Sequence, residues 1–361
     1  MKIGLLLPQS GVDATQGTDA VRGVELYLSK QPASAARLFK EDDEAKPDVA
    51  LAKLRKLVET EGVDFIVGPI SSAVALAIRD YVHRQSVPLL VPAAFTRVLT
   101  SPQQASPNIF RLSDTTDQAN YPMGAWLMRN TPHRKALVMA ADFAGGRHSV
   151  EAFMAGLRDA GGEIAGEIYP PFDTEDFGPY LRRAAMIGAD AVYAWFAGAD
   201  AIRFVRQYRE TGLELPLFGH SALTADTILS RMGDAALGIV STGAYTPALE
   251  TPENRAFVRD YDAAYGSLPS RYSECGWIAA GLMTLVAREL NGDLRDAAKV
   301  RDTLKNALPR LKPPRGAMRF DAYRQAVTPI YITRTEKHAG RLVNVVLEEL
   351  PAVSQEATWG W

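Results

Sequence analysis

Gly62-Val63-Asp64-Phe65-Ile66-Val67-Gly68-Pro69-Ile70-Ser71-Ser72-Ala73-Val74-Ala75-Leu76-Ala77 leads through a helical stretch into Val87-Pro88-Leu89-Leu90-Val91-Pro92-Ala93-Ala94-Phe95-Thr96. Phe65 to Val67 is a short apolar run closed by Gly-Pro, the pattern of a strand buried on both faces in a parallel sheet. Ser71 or Ser72 is placed to cap a helix. That helix carries Ala73, Ala77, Ile78 and Tyr81 at helical spacing and ends before Pro88, which opens the next strand. The stretch therefore reads strand, turn, helix, strand.

In a parallel sheet of this kind ligands sit outside the carboxyl ends of the strands. That edge here carries Ser71, Ser72 and the run Ala93, Ala94, Phe95, Thr96. A helix start leaves backbone N–H groups unpaired and concentrates partial positive charge, so a carboxylate can dock there without Lys or Arg. An ordinary N-cap that binds nothing accounts for the two serines equally well.

The chain has 361 residues, 47% of them apolar, which is long enough for two domains with filled cores. A net charge of −2 with interspersed signs leaves no basic stripe for nucleic acid. The longest strongly apolar window, Trp277 to Ala287, is about half of the roughly 20 residues needed to span a bilayer. Cys275 is alone, so no internal disulfide forms. The first strand, Ile3 to Leu7, begins almost at once. Two localisations fit this: a cytoplasmic protein, or an exported one whose signal peptide has been removed and Met1 supplied.

A helix is expected over Asp19 to Ser29, a strand near Ala36 to Phe39, and a helix capped by Asp48. Glu41-Asp42-Asp43-Glu44 reads as a solvated loop, since no Asp-x-Asp-x-Asp-Gly pattern surrounds it. After a strand over Asn108 to Leu112, residues 114–117 read as a connection. Tyr121 to Arg129 is a helix, Lys135 to Ala140 a strand, and Ser149 to Ala160 a helix. Ile187-Gly188-Ala189-Asp190-Ala191-Val192-Tyr193 then repeats the Gly62 to Ile66 segment, and Leu215-Pro216-Leu217-Phe218 repeats Val87 to Leu90 at nearly the same offset. The simplest account is two similar α/β, doubly wound (flavodoxin-like) parallel-sheet domains. Crossings near residues 114–117, 244–251 and 321–328 place the domains at 1–116 plus 249–325 and 117–248 plus 326–361. Pro329 to Thr333 and Leu342 to Leu347 read as the last strands.

Catalytic signatures are missing from the sequence. There is no Gly-x-Ser-x-Gly, Gly-x-Gly-x-x-Gly, His-Glu-x-x-His or Cys-x-x-Cys. The five histidines are scattered, none at metal-ligand spacing, so no metal and no cofactor is expected. His83, His133 and His338 read as structural. His220, with Ser221, falls at the end of a strand of the second domain and is a candidate for touching ligand.

Taken in order, Ile3-Gly4-Leu5-Leu6-Leu7-Pro8-Gln9-Ser10-Gly11, Arg22-Gly23-Val24-Glu25-Leu26, Val67 to Ser72, Ile109-Phe110-Arg111, Asp176-Phe177-Gly178-Pro179-Tyr180-Leu181 and Gly198-Ala199-Asp200-Ala201 give the chain its family likeness. It resembles a type I periplasmic solute-binding protein of the leucine/isoleucine/valine-binding family. The resemblance implies two ligand-binding lobes joined by a three-crossover hinge, the type I periplasmic binding fold, closing on a ligand that is passed to an ABC importer. It places the carboxylate-binding serine on Ser71-Ser72 and a backbone contact on Ala93-Ala94. Amino-acid binders of the family often have Thr where Phe95 stands and an acid near Ser221, and neither is present here. Asn120-Tyr121-Pro122-Met123-Gly124 and Trp195-Phe196-Ala197-Gly198 are similar to a branch that binds aromatic acids. Phe95, Phe143, Trp195 and Tyr245 would suit a ring, although Trp195 and Phe196 also suit a buried strand end.

These readings converge on a non-catalytic, monomeric, periplasmic solute-binding protein that takes a small carboxylate, of the aromatic class, in an interdomain cleft and delivers it to ABC importer membrane subunits. Its candidate ligand-binding residues are Ser10, Ser71, Ser72, Ala93, Ala94, Phe95, Thr96, Tyr121, Phe143, Ala197, Gly198, His220, Ser221 and Tyr245. The alternatives are a binder of branched-chain or other amino acids, in which Asp142, Asp200 or Asp226 would meet the ammonium, and a cytoplasmic ligand sensor of the same fold. An enzyme is a third and weaker reading.

Overall fold

A computed structural model describes residues 1–32 and 35–358; residues 359–361, the end of the second expected lobe, lie outside the described residues. The chain divides into two compact units, Met1–Thr115 with Glu250–Thr328 and Thr116–Leu249 with Pro329–Trp361.

The first unit begins β1 (Lys2–Leu6), α1 (Ala14–Leu28), β2 (Arg37–Glu41), α2 (Pro47–Arg55), β3 (Phe65–Val67), α3 (Ser72–Arg84), β4 (Leu89–Val91) and β5 (Ile109–Arg111). All five strands run parallel in the order β2-β1-β3-β4-β5. Alternating residues of these strands feed two cores. Ile3, Leu5, Phe65, Val67, Leu90 and Phe110 face one side, while Leu6, Ile66, Leu89, Val91 and Ile109 face the other. A continuously apolar strand with helices on both faces is what this pattern requires.

The second unit carries α4 (Thr116–Asn130), β6 (Lys135–Ala140), α5 (Ala144–Asp159), β7 (Glu163–Ile168), α6 (Gly178–Ala185), β8 (Ala191–Trp195), α7 (Gly198–Glu210), β9 (Leu217–His220), α8 (Asp226–Met232) and β10 (Val240–Gly243). Its strands follow the order β7-β6-β8-β9-β10, and again alternate residues fill two cores. The chain then supplies α9 (Pro252–Tyr265), α10 (Arg271–Glu289), α11 (Ala297–Ala307) and β11 (Arg319–Phe320) to the first unit. Finally β12 (Ala326–His338) pairs antiparallel with β10, and β13 (Arg341–Val353) pairs with β12. Both sheets thus share one strand order with one reversal point, beside β1 and β3 in one unit and β6 and β8 in the other. The expected doubly wound architecture is present in both units.

Several local expectations differ. Three helices start earlier than apolar spacing suggested: α1 at Ala14 rather than Asp19, α4 at Thr116 rather than Tyr121, and α5 at Ala144 rather than Ser149. The first turns of α1 and α5 are small or polar, and packing selects them. A Cβ on Gly17 would lie 1.9 Å from the Pro8 carbonyl oxygen, so only glycine admits that approach. Asp48 does not cap α2; Lys46 is the N-cap and Pro47 opens the helix, where its missing N–H costs nothing. The buried face of α3 is Val74, Ala75, Ile78, Tyr81 and Val82, with Ala73 and Ala77 exposed. The final strands are also far longer than expected, each having 13 residues.

Candidate ligand-binding site

At the carboxyl edge of the first unit, Ser71 is the N-cap of α3, and its Oγ accepts the Val74 N–H at 3.5 Å. Ser72 opens the helix, and its Oγ accepts the Thr96 N–H at 3.3 Å. That bond ties the loop after β4 to the helix start. The same loop is held by the Ala94 N–H on the Ile70 carbonyl at 2.9 Å. Ala93 and Ala94 are fully buried, and Ala94 has φ +56, a left-handed conformation that costs an alanine energy. Arg111 holds the loop in place from below. Fully buried, it donates to the carbonyl of Ala94 at 2.8 Å, to that of Thr96, to Thr100 Oγ1 and to Gln325 Oε1. Phe95 projects from this braced loop half-buried. Over its ring lies the Arg271 guanidinium, 4.3 Å from the centroid.

Ser10 lies on the loop after β1. Its hydroxyl donates to Asp42 Oδ2 at 2.7 Å, while Asp42 Oδ1 also accepts the N–H groups of Gln9 and Glu44. Next to it Asp43 is fully buried, and desolvation, with the charges of Asp42 and Asp13 adding, pushes its carboxyl up to about 6 despite a hydrogen bond from Ala45. Among the described residues no group of three or more acids, histidines or cysteines is arranged to hold a metal.

The carboxyl edge of the second unit is aromatic. Phe143 is the N-cap of α5 and 38% exposed. Its ring meets Trp195, the last residue of β8, at 5.5 Å and Phe172, after β7, at 5.6 Å. Trp195 is half-buried within this row, whereas Phe196 is fully buried against Phe177 and Phe204 and belongs to the core. Ala197 and Gly198 are exposed at the start of α7, which no side chain caps. His220 ends β9, buried, with its Nδ1 accepting the Ala222 N–H at 3.0 Å, so the neutral ring carries its proton on Nε2. Ser221 donates its N–H to the Thr242 carbonyl at 2.8 Å. Its hydroxyl occupies the space a Cβ on Gly243 would need. Tyr245 follows β10 and is buried.

Tyr121 is not brought to this edge. Its hydroxyl donates to Asp159 at 2.7 Å, at the end of α5 that leads into the amino end of β7. The three aspartates named as candidate partners of an ammonium are each engaged. Asp142 pairs with Arg147 at 2.7 Å. Asp200, buried in the first turn of α7, pairs with Arg203 and accepts the Asp173 N–H at 3.0 Å. Asp226 accepts from Asn344 Nδ2 at 3.1 Å, and burial pushes its carboxyl up to about 7, toward the neutral form.

Four residues of these edges were not singled out in the sequence: Arg111, Asp114, Phe172 and Arg271. Arg111 carried a signal, a cation closing an apolar strand. Phe172 follows Pro170-Pro171, where a ring with no apolar neighbours is out of place. Asp114 and Arg271 are far apart in sequence and carry none.

Two sheets with the flavodoxin-like strand order, each presenting helix starts and polar or aromatic groups at its carboxyl edge, define an α/β ligand-binding protein. The chain belongs to the periplasmic binding protein family, whose model matches residues 1–340. It is 29% identical over 349 residues to Leu/Ile/Val-binding protein homolog 6 of Brucella melitensis, covering 93% of this chain and 88% of that protein. An ABC transporter substrate-binding protein from Sphaerobacter thermophilus is 33% identical, superposes with a TM-score of 0.93 and covers 98% of both chains. A solute-binding protein of an ABC transporter from R. palustris, solved in complex with benzoate, is 30% identical with a TM-score of 0.88, covering 99% of this chain and 98% of the other. These relatives are solute-binding proteins. No helix among the described residues is long and apolar enough to cross a membrane.

Proposed function

We propose that the protein is a non-catalytic periplasmic solute-binding protein that captures a small aromatic carboxylate and delivers it to the membrane subunits of an ABC importer, acting as a monomer without a cofactor. The two compact units serve as its lobes, and the candidate residues at their carboxyl edges supply the contacts. The observation that carries the reading is the first unit's edge, where a helix start bearing Ser71 and Ser72 is tied through Thr96 to the ring of Phe95. Such an edge suits a carboxylate joined to an aromatic ring, the chemistry of the benzoate held by the R. palustris relative. The Phe143, Phe172 and Trp195 row offers further apolar surface in the second unit.

A second reading, a branched-chain amino-acid binder, is favoured by the name of the Brucella relative. Against it, the ammonium would need a charged or well-placed partner, and Asp142, Asp200 and Asp226 are engaged elsewhere. A thermal-shift screen followed by calorimetry tests the choice. A ligand that binds only the folded state raises the melting temperature. Benzoate or 4-hydroxybenzoate should do so, and leucine and phenylalanine should not. Tight binding of either amino acid with no response to the aromatic acids refutes the proposal.

A further inference from the structure

The three rings at the carboxyl edge of the second unit follow the strand order of its sheet. Trp195 ends β8, Phe143 stands three residues beyond β6 and Phe172 four beyond β7, and these strands lie in the order β8-β6-β7. The strand order reverses at β6 and β8, and ligands of doubly wound sheets sit in the crevice beside such a pair. Exposure rises outward along the row, from a half-buried Trp195 through Phe143 at 38% to Phe172 at 68%. The inner two rings are fixed by packing. They meet at 5.5 Å, and a Cβ on Gly145 would lie 2.7 Å from a ring carbon of Phe143, so that ring leans on the first turn of α5.

Phe172 is fixed instead by the backbone on either side of it. Before it, the Asp142 N–H donates to the Pro170 carbonyl at 2.8 Å and ties the loop after β7 to the loop after β6. After it, the Asp173 N–H donates to Asp200 Oδ2 at 3.0 Å, and Arg203 bridges Asp200 and Asp173 Oδ1, the latter at 2.5 Å. Gln207 continues the seam, donating to the Glu175 carbonyl at 2.7 Å and accepting the Phe177 N–H at 2.6 Å. Asp200, Arg203 and Gln207 all belong to α7, so the loop is laced to a helix while the ring it carries stays largely in water. A single exposed apolar side chain calls for no explanation. Phe172 differs in three respects: it ends a packed aromatic row, its loop is anchored before and after it, and it stands at the sheet edge where ligands bind.

We propose that Phe172 is a specificity-determining residue: its ring extends the Phe143 and Trp195 surface and packs against the ring of the aromatic carboxylate, with Asp200 and Arg203 as the positioning residues that hold its loop. The inference rests on the aromatic-acid reading for the ligand class and adds the means by which an aromatic ring is told from a saturated one. Edge-to-face and offset-stacked pairs favour an aromatic partner by about 2- to 12-fold beyond the area they bury. A saturated ring gains from the buried area alone. If Phe172 only supported Phe143, its loss would weaken both kinds of ligand together.

Calorimetry on the whole protein compares benzoate with cyclohexanecarboxylate, and 4-hydroxybenzoate with trans-4-hydroxycyclohexanecarboxylate. Each pair shares the carboxylate and the six-membered ring and differs in aromaticity. The wild type should favour the aromatic member. Phe172→Leu keeps apolar surface and removes the ring, so it should weaken the aromatic acid by about 2- to 12-fold and the saturated one by less than about twofold. Phe172→Tyr should keep the wild-type preference. Arg203→Gln, which leaves the Asp173 anchor without its cation, should fall between wild type and Phe172→Leu. Because Phe172 is mostly exposed, its variants leave the core intact, and they decide the matter alone if Arg203→Gln does not fold. An Arg203→Gln protein with the full wild-type preference overturns the positioning role. Equal losses for both members of a pair, or no loss for either, overturn the role of Phe172 and leave the aromatic-acid reading standing, and a wild type that binds the two members equally overturns that role as well. Binding of leucine, or of nothing in the panel, in place of every aromatic acid overturns both.

Discussion

Arg111→Met removes the donor that braces the loop carrying Phe95 and Thr96. Arg111 is fully buried and gives hydrogen bonds to the Ala94 carbonyl at 2.8 Å and to Thr96, Thr100 and Gln325. Methionine matches the aliphatic stem but supplies no donor, so the acceptors lose the cation that satisfied them. Each buried acceptor left unpaired costs about 1–3 kcal/mol. Because these acceptors share one network, the total should resemble that of breaking a buried charged pair, about 3–5 kcal/mol. With a urea dependence of about 1–3 kcal/mol per molar, the unfolding midpoint of the first unit should fall by roughly 1–5 M. Circular dichroism in urea reads the midpoint, and hydrogen exchange at the amides of residues 94–101 locates the change. Arg111→Lys should recover part of the loss. A cost below about 1 kcal/mol, or no faster exchange in that loop, would show that the loop holds its shape through Ser72, Ile70 and packing alone.

Ser72→Ala should weaken carboxylate binding by about 1.5–3 kcal/mol through loss of a hydroxyl partner of a charged group. Its effect on stability should be smaller, since the Thr96 N–H bond it removes is long, at 3.3 Å; calorimetry and thermal melts together check this. Asp43 gives the stability a pH dependence. Its carboxyl is raised from the ordinary 3.8 to about 6, so the folded state binds its proton more tightly than the unfolded state does. The contribution is therefore full below about pH 4 and is lost as pH rises through about 6, amounting to about 2–3 kcal/mol. Asp43→Asn should flatten stability between pH 4 and 7, and a slope unchanged in urea titrations across that range would refute the assignment.

The architecture was legible because the strands are short, apolar on both faces and repeated. Phe65 to Val67 and Ala191 to Trp195 can only be strands that helices cover on two sides, and the repeated Gly-x-Asp and Pro signals mark their entries. Helix starts were less legible. Apolar spacing detects the face a helix buries, and the first turns of α1 and α5 bury little, so both helices were expected to begin about a turn later than they do. In α1 the reason for glycine is a tertiary contact, the approach to Pro8, which no local pattern records. The length of β12 and β13 was missed for a similar reason: charged residues such as Arg334, Glu336 and Lys337 are at home on an exposed part of a strand but break its apolar run.

The site was legible where chemistry and local structure coincide, as at Ser71-Ser72, where the residue that caps α3 also stands at the sheet edge. It was not legible where long-range pairing sets the charge. Asp114 lies within an expected connection and Arg271 in no motif; together they form an ion pair, its carboxylate buried and its guanidinium over the ring of Phe95. An edge with only a helix start attracts any anion, including the carboxylate of an amino acid, and leaves the ammonium as the sole discriminator. The guanidinium of Arg271 at that edge is paired with Asp114, so the two add little net charge there. On the proposed reading, the engagement of Asp142, Asp200 and Asp226 favours a carboxylate that carries no α-amino group. Restoring an acid near Ser221 is the sharpest way to probe that balance. If Ser221→Glu gave measurable leucine binding while weakening 4-hydroxybenzoate, the missing ammonium partner would be shown to set the specificity. If it left both ligands unchanged, Ser221 would not lie where an ammonium is recognised.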